Sequence, residues 1–137
     1  MLAIRTEADD VATARRRLLI VEDDADFAGS LQDFLEPRGF DIRVANSAQQ
    51  AMAITLSFTP DFVVLDVNLA KDSGLGLVEV LKSVHRGVIC LVMTAMEDRD
   101  LVVESVRVGA DGFFRKPFDP NTLFEAMNGA HGKPRRF

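Results

Sequence analysis

The sequence predicts an α/β protein in which helices cover both faces of a parallel sheet. Three short, continuous apolar runs lie at 18–21, 62–65 and 88–93, and runs of this kind are typical of strands buried on both faces. Segments with helical periodicity separate them, so that five strands alternate with five helices. This alternation and the number of strands favour a flavodoxin-like doubly wound sheet of order 2-1-3-4-5.

The first half of the chain contains two strand–helix units. The strand at 18–21 precedes a helix whose apolar stripe ends near Pro37-Arg38-Gly39, with Asp24 or Asp26 as its N-cap. The stripe consists of Phe27, Leu31, Phe34 and Leu35. A weaker strand at 40–45 precedes a second helix, which Ser47 caps and which stops before Pro60. This second helix is predicted to run through Ala51, Ile54 and Leu56.

The second half contains three more units. After the strand at 62–65, a third helix is indicated by Leu75, Val78, Leu81 and Lys82. The strand at 88–93 leads to a fourth helix at 101–108, which Gly109 closes. A weaker strand at 112–115 leads to a fifth helix, opened by Asp119-Pro120 and running to about Asn128.

Length and composition suit one domain. The chain has 137 residues, of which 47% are hydrophobic and 27% are charged, as in an ordinary globular protein. We expect a flexible N-terminal extension at 1–16, one domain at 17–130 and a C-terminal tail at 131–137. We expect neither a transmembrane helix nor a secretory signal, because no apolar run is long enough, and we take the cytoplasm as the default location.

The charge and the cysteine content of the chain give little information on its function. The net charge of −5 argues against nucleic-acid binding by the domain. Two basic clusters, Arg15-Arg16-Arg17 and the group of Lys133, Arg135 and Arg136, are interpreted as solvated flanks rather than contacts with a partner or a polyanion. Cys90 lies in an apolar strand and is expected to be a buried thiol.

Chemically competent side chains follow the predicted strands. Glu22-Asp23-Asp24 follows the first strand, Asp66 ends the third, Thr94 ends the fourth and Lys116 follows the fifth. Each alone suits a helix cap, a turn or a solvated loop, but these strand ends share one edge of a parallel sheet. Clustered carboxylates hold Mg²⁺, and a carboxylate can also act as a nucleophile toward phosphorus. A lysine and a hydroxyl can then balance the charge of a phosphoryl group.

At these positions the chain resembles the receiver domain of two-component response regulators. The resemblance covers about residues 17–130 and rests on the motifs at 18–24, 63–69, 93–95 and 109–118. It implies that Asp66 is the phosphoacceptor. It also implies a Mg²⁺ site formed by Asp23 directly, Glu22 through water, Asp66 and the backbone carbonyl of Asn68.

The resemblance also implies a switch. Thr94 would be the hydroxyl that moves toward the phosphoryl group, and Lys116 would pair with that group. The resemblance further implies a cis peptide bond between Lys116 and Pro117. Phe113 stands where the family has its switch aromatic, with plain core packing as the alternative. Asn68 and Met96 are expected to tune the lifetime of the phosphoryl group.

Two positions depart from the family pattern. Ala70 replaces a common proline and Ser73 replaces a common aspartate, both in the loop after the third strand. Losing the proline should loosen that loop, which affects partner recognition and kinetics but not the acceptor. His85 and His131 are expected to have only surface roles.

The predicted function is that of a signalling phosphoacceptor rather than an enzyme. The phosphoryl donor would be a histidine kinase or a histidine phosphotransfer protein. The switching surface, formed by the fourth helix, fifth strand and fifth helix, would act on an unknown target protein. We expect no membrane contact, and a monomer or a weak dimer through that surface.

The main alternative is a receiver-like interaction module that signals without phosphorylation. An aspartyl-phosphate phosphatase is disfavoured because Asn68 stands where its general acid would be. A nucleotide-binding protein is disfavoured because acidic residues follow the first strand.

Overall fold

A five-stranded parallel sheet lies at the centre of the computed structural model, which describes residues 15–69, 74–95 and 99–130. Its strands are β1 (Arg16–Val21), β2 (Phe40–Ala45), β3 (Phe62–Asp66), β4 (Ile89–Thr94) and β5 (Gly112–Arg115). Their spatial order is β2-β1-β3-β4-β5, which confirms the predicted topology. Every neighbouring pair is parallel, so the carboxyl ends of all five strands lie at one edge.

Five α-helices connect the strands. They are α1 (Ala25–Leu35), α2 (Ala48–Ile54), α3 (Gly74–Val84), α4 (Arg99–Arg107) and α5 (Pro120–Ala130), and a short 3-10 turn (Glu36–Arg38) follows α1. Asp24 is the N-cap of α1, where its side chain accepts hydrogen bonds from the backbone N–H groups of Asp26 and Phe27. None of the helices in the described part of the chain is long and apolar enough to cross a membrane.

The second helix is shorter than predicted. It ends at Ile54, and Leu56, through which the helix was predicted to run, lies beyond its end and is 88% exposed. The reason is a tightening of the chain after Ile54: the N–H of Leu56 bonds the carbonyl of Ala53, three residues back rather than four, at 3.3 Å. Phe58 packs into the core instead.

The sheet separates two apolar layers. The first core layer packs α2, α3 and α4 against one face of the sheet, and the second core layer packs α1 and α5 against the other. Side chains of β1 alternate between the layers, with Leu19 and Val21 in the first and Leu18 and Ile20 in the second. This division on both faces accounts for the continuous apolar runs in the sequence.

Arg16 is not a solvated flank, contrary to the prediction for its cluster. Its guanidinium lies 4.4 Å from the ring centroid of Phe40 and donates a hydrogen bond of 2.6 Å to Asn128 Oδ1. Phe62 and Phe124 also lie within about 6 Å of it. Arg16 therefore ties the start of β1 to the end of α5, whereas Arg17 is exposed.

A buried ion pair lies at the edge of the sheet where the strands begin, which is also the edge where Arg16 lies. Lys82 Nζ is 2.6 Å from Asp111 Oδ2, and the two side chains are 17% and 6% exposed. Asp111 Oδ2 also accepts the N–H of Cys90 at 2.8 Å, and Lys82 Nζ donates to the carbonyl of Val88 at 2.8 Å. The pair therefore joins α3 to the starts of β4 and β5.

Several predicted features lie outside the described residues. These are most of the N-terminal extension, Ala70, Ser73, Met96, His131 and the basic cluster of the tail. His85 is partly buried and follows the end of α3, where its N–H bonds the carbonyl of Leu81 at 2.8 Å.

Candidate functional site

The predicted site residues meet at the carboxyl edge of the sheet. Glu22 follows β1, Asp66 ends β3, Thr94 ends β4 and Lys116 follows β5. Lys116 Nζ lies 2.9 Å from Asp66 Oδ2 and also donates to the Glu22 carboxylate. Residues up to 94 positions apart in the chain therefore share one pocket.

Three carboxylates form the acidic side of this pocket. One oxygen from each of Glu22, Asp23 and Asp66 lies within 4.8 Å of the other two. Glu22 is 1% and Asp66 is 7% exposed, whereas Asp23 faces solvent. Such an all-oxygen set with one open side suits a hard divalent cation that keeps some of its water.

Burial and charge together set the protonation of Glu22. The pKa of Glu22 is raised from 4.5 to about 7, and burial is the largest cause. The negative charge of Asp66 also raises the pKa, whereas the hydrogen bonds from Lys116 and from the N–H of Asp24 lower it. A divalent cation at this cluster would therefore compete with a proton for the Glu22 carboxylate near neutral pH.

Lys116 stays charged in the pocket. Burial alone would lower the pKa of Lys116, but the hydrogen bonds and charges of Glu22 and Asp66 outweigh it, so the pKa is raised. The ammonium therefore provides a permanent positive charge beside the Asp66 carboxylate.

Asp66 and Thr94 are linked through Asn68. The N–H of Asn68 donates to Asp66 Oδ1 at 2.8 Å, and its side-chain amide donates to Thr94 Oγ1 at 3.3 Å. Thr94 is fully buried, and its carbonyl accepts the N–H of Lys116 at 2.7 Å, which holds the ends of β4 and β5 together. The Thr94 hydroxyl thus lies at the same edge of the sheet as Asp66, and one hydrogen bond joins it to Asn68.

Phe113 lies on β5, away from this cluster of charges. It pairs with Val92 in the sheet and is partly buried against the first core layer. A partly buried position is compatible with both the switch role and plain packing, and the switch role stays a prediction.

The sequence reasoning missed Phe27. It was assigned only to the apolar stripe of α1, but the Lys116 ammonium lies 4.1 Å from the centroid of its ring. The Lys116-Pro117 bond is cis, as suggested. Phe118, two residues after Lys116, packs edge-on against Phe27 with ring centroids 6.0 Å apart. An aromatic residue at the start of α1 and another after Lys116-Pro117 were the only signal of this contact in the sequence.

Gly74 is the first residue of α3 and lies against the end of β3. A Cβ atom there would lie 2.7 Å from Val67 Cα and closer still to the carbonyl oxygen of Asp66. Its N–H also bonds the carbonyl of Val67 at 3.2 Å. The start of α3 therefore packs directly on the backbone at Asp66 and Val67, which requires a residue without a side chain.

Comparisons with known proteins show that this chain is similar to members of one family. The family model described as "Response regulator receiver domain" matches residues 18–128. The "DNA-binding response regulator MtrA" of Mycobacterium tuberculosis is 37% identical over 111 residues, which are 81% of this chain and 48% of the relative. The chain thus spans about half the length of the curated relatives of this kind that it matches.

Two solved structures have the same fold. A response regulator from Burkholderia pseudomallei, crystallised with a phosphorylated aspartic acid, a calcium ion and citrate, superposes with a TM-score of 0.78 at 30% identity, covering 81% of this chain and 65% of that one. A CheY-like receiver domain protein from Methanospirillum hungatei gives a TM-score of 0.80 at 26% identity, covering 84% and 92% of the two chains.

Proposed function

This chain belongs to the response regulator receiver domain family of two-component systems, and we propose that Asp66 is the residue that accepts the phosphoryl group. The observation that carries the proposal is the position of Lys116, whose ammonium contacts both Asp66 and Glu22 beside a three-carboxylate cluster. Receiver domains take phosphoryl groups from histidine kinases. The donor here would be such a kinase or a histidine phosphotransfer protein.

The chemistry requires one displacement at phosphorus. A carboxylate oxygen of Asp66 attacks, an O–P bond forms, and the N–P bond of the donor's phosphohistidine breaks. The imidazole nitrogen keeps the bonding electrons and takes up a proton. Lys116 pairs with a phosphoryl oxygen as negative charge gathers there, and positioning with charge neutralisation accounts for most of the rate.

The carboxylates of Glu22, Asp23 and Asp66, with the carbonyl of Asn68, would hold a Mg²⁺ ion. Their oxygen atoms and close spacing support this assignment. A divalent ion there would neutralise the charge of the phosphoryl oxygens. The Lys116 ammonium, which is hydrogen-bonded to Glu22 and Asp66, supplies a positive charge from the protein itself at the same place.

Switching would follow from the movement of Thr94. Its hydroxyl would turn from the Asn68 amide toward the phosphoryl group, and Phe113 would then pack inward, biasing a two-state equilibrium. The α4-β5-α5 face would report the change to a target protein or to a second copy in a weak dimer. Exposed Val103 and Val106 on α4 support a role in binding.

Intact-mass measurement tests the acceptor. The protein is incubated with acetyl phosphate and Mg²⁺ as wild type, as Asp66→Asn, and as Asp33→Asn, an exposed position on α1. We expect one added phosphoryl group in the wild type and in Asp33→Asn, and none in Asp66→Asn. Chelation of Mg²⁺ before acetyl phosphate is added should prevent the addition. An addition that persists in Asp66→Asn would move the acceptor elsewhere. If the wild type neither gains mass nor binds beryllofluoride, the interaction module becomes the better account.

A further inference from the structure

The ammonium of Lys116 has three kinds of neighbour. Two are the carboxylates of Glu22 and Asp66, which accept its hydrogen bonds. The third is the face of the Phe27 ring, whose centroid lies 4.1 Å away. Aromatic faces carry partial negative charge and attract cations, most strongly where water is excluded. The Lys116 side chain is 16% exposed, so this attraction is little screened.

The ring of Phe27 is fixed from two directions. Its backbone N–H bonds Asp24 Oδ1 at 3.2 Å, within the N-cap of α1. Its ring meets Phe118 at an interplanar angle of 76°, the edge-to-face arrangement that aromatic pairs favour. Phe118 belongs to the same loop as Lys116, and so the helix and the loop together orient the ring under the ammonium.

We propose that Phe27 is a positioning residue for Lys116 in phosphoryl transfer. This inference rests on the proposed function of Asp66. Lys116 must exchange its hydrogen bond to the Asp66 carboxylate for one to an incoming phosphoryl oxygen. A carboxylate in the place of Phe27 would compete for the same N–H donors. The π face attracts the charge without accepting a strong hydrogen bond, which holds the ammonium in place while its donors turn to the substrate.

A fluorinated phenylalanine series tests this role. Mono-, di- and trifluorophenylalanine at position 27 withdraw electrons from the ring face step by step, with little change of shape. We expect the maximal rate constant of phosphorylation by acetyl phosphate to fall in a graded way, by about three- to tenfold at trifluorination. The acetyl phosphate concentration at half-maximal rate should change little, because the donor does not contact the ring.

Phe34 provides a matched control. It lies on the same helix, and the guanidinium of Arg38 lies 3.6 Å from its ring centroid, at the protein surface. The same fluorinated series at Phe34 weakens a cation–π contact of the same kind away from the pocket and should leave the rate constant unchanged. Equal losses at both positions would overturn the positioning role, since they would indicate a general effect of fluorination.

Two further outcomes separate this inference from the proposed function. A flat series at Phe27 in a protein that does become phosphorylated overturns the role of Phe27 alone. A wild type that accepts no phosphoryl group overturns the function of Asp66 and this role with it.

The contact between Lys116 and Phe27 is tested in either case by NMR. The Hε protons of Lys116 should resonate upfield of their position in Phe27→Leu, and coincident resonances would refute the contact.

Discussion

Replacing Asp111 with alanine should destabilise the domain by about 3–5 kcal/mol, the usual cost of removing one partner of a buried ion pair. The Asp111 side chain is 6% exposed, and its Oδ2 atom accepts both Lys82 Nζ and the N–H of Cys90. Within the described part of the chain, alanine would leave a mostly buried ammonium with the carbonyl of Val88 as its one hydrogen-bond acceptor. It would also remove the acceptor of a buried N–H group, which contributes about 1–3 kcal/mol of that cost.

Urea unfolding of four proteins measures this effect. These are the wild type, Asp111→Ala, Lys82→Met and the double variant, which together form a double-mutant cycle. We expect the double variant to be less destabilised than the sum of the single variants, with a coupling energy of at least about 1 kcal/mol. Phosphorylation of folded protein should be unchanged, because the pair lies at the sheet edge opposite the acidic pocket.

Glu104→Gln is the comparison variant, because Glu104 and Arg107 form an ion pair that is exposed to solvent on α4. We expect no measurable change in its urea midpoint. The reasoning about the buried pair fails if Asp111→Ala costs less than about 1 kcal/mol, or if the two single effects simply add.

Three other changes have definite expected outcomes. Gly74→Ala should destabilise the domain by about 1–3 kcal/mol through overpacking and slow phosphorylation, whereas Gly76→Ala, with open space around it, should be neutral or stabilising; equal behaviour would contradict the close approach to β3. The pKa of Glu22 is raised from 4.5 to about 7, so metal-free folded protein binds more protons than unfolded protein in that window. Its unfolding free energy should therefore fall as pH rises from about 5 to about 8, and a slope that persists in Glu22→Gln would reject this cause. Arg16→Ala should cost about 1–2 kcal/mol in urea unfolding, against at most about 0.5 kcal/mol for Arg86→Ala at an exposed position; similar losses would exclude a special role for the aromatic contact.

Most of the fold could be predicted because its signals are local. β2 has the bounds that were predicted for it, 40–45, because Pro37 and Gly39 end the preceding helical segment just before it. Gly39 has a φ of 98°, a conformation that favours glycine. Leu56 was placed wrongly because periodicity assumes that the helix continues, and it carries no information on where the last turn tightens.

The candidate site was predictable to the extent that topology alone determines it. Parallel strands bring their carboxyl ends to one edge, and for that reason Glu22, Asp66, Thr94 and Lys116 could be grouped from the sequence. The contact of Phe27 with Lys116 could not be predicted, because an apolar residue at helical spacing has the same pattern whether it faces a core or a cation. The pairing of Lys82 with Asp111 depends on a contact 29 residues apart, which neither segment indicates by itself.

The alternation of side chains along β1 has a consequence for hydrogen exchange. Leu18 and Ile20 belong to one apolar layer and Leu19 and Val21 to the other, so β1 cannot detach without exposing both. Opening either layer would therefore disrupt its neighbour across the sheet, and the domain should unfold as a single cooperative unit. The amides of β1 and β3 should accordingly exchange with deuterium only through global unfolding, while those of α4 exchange through smaller local openings.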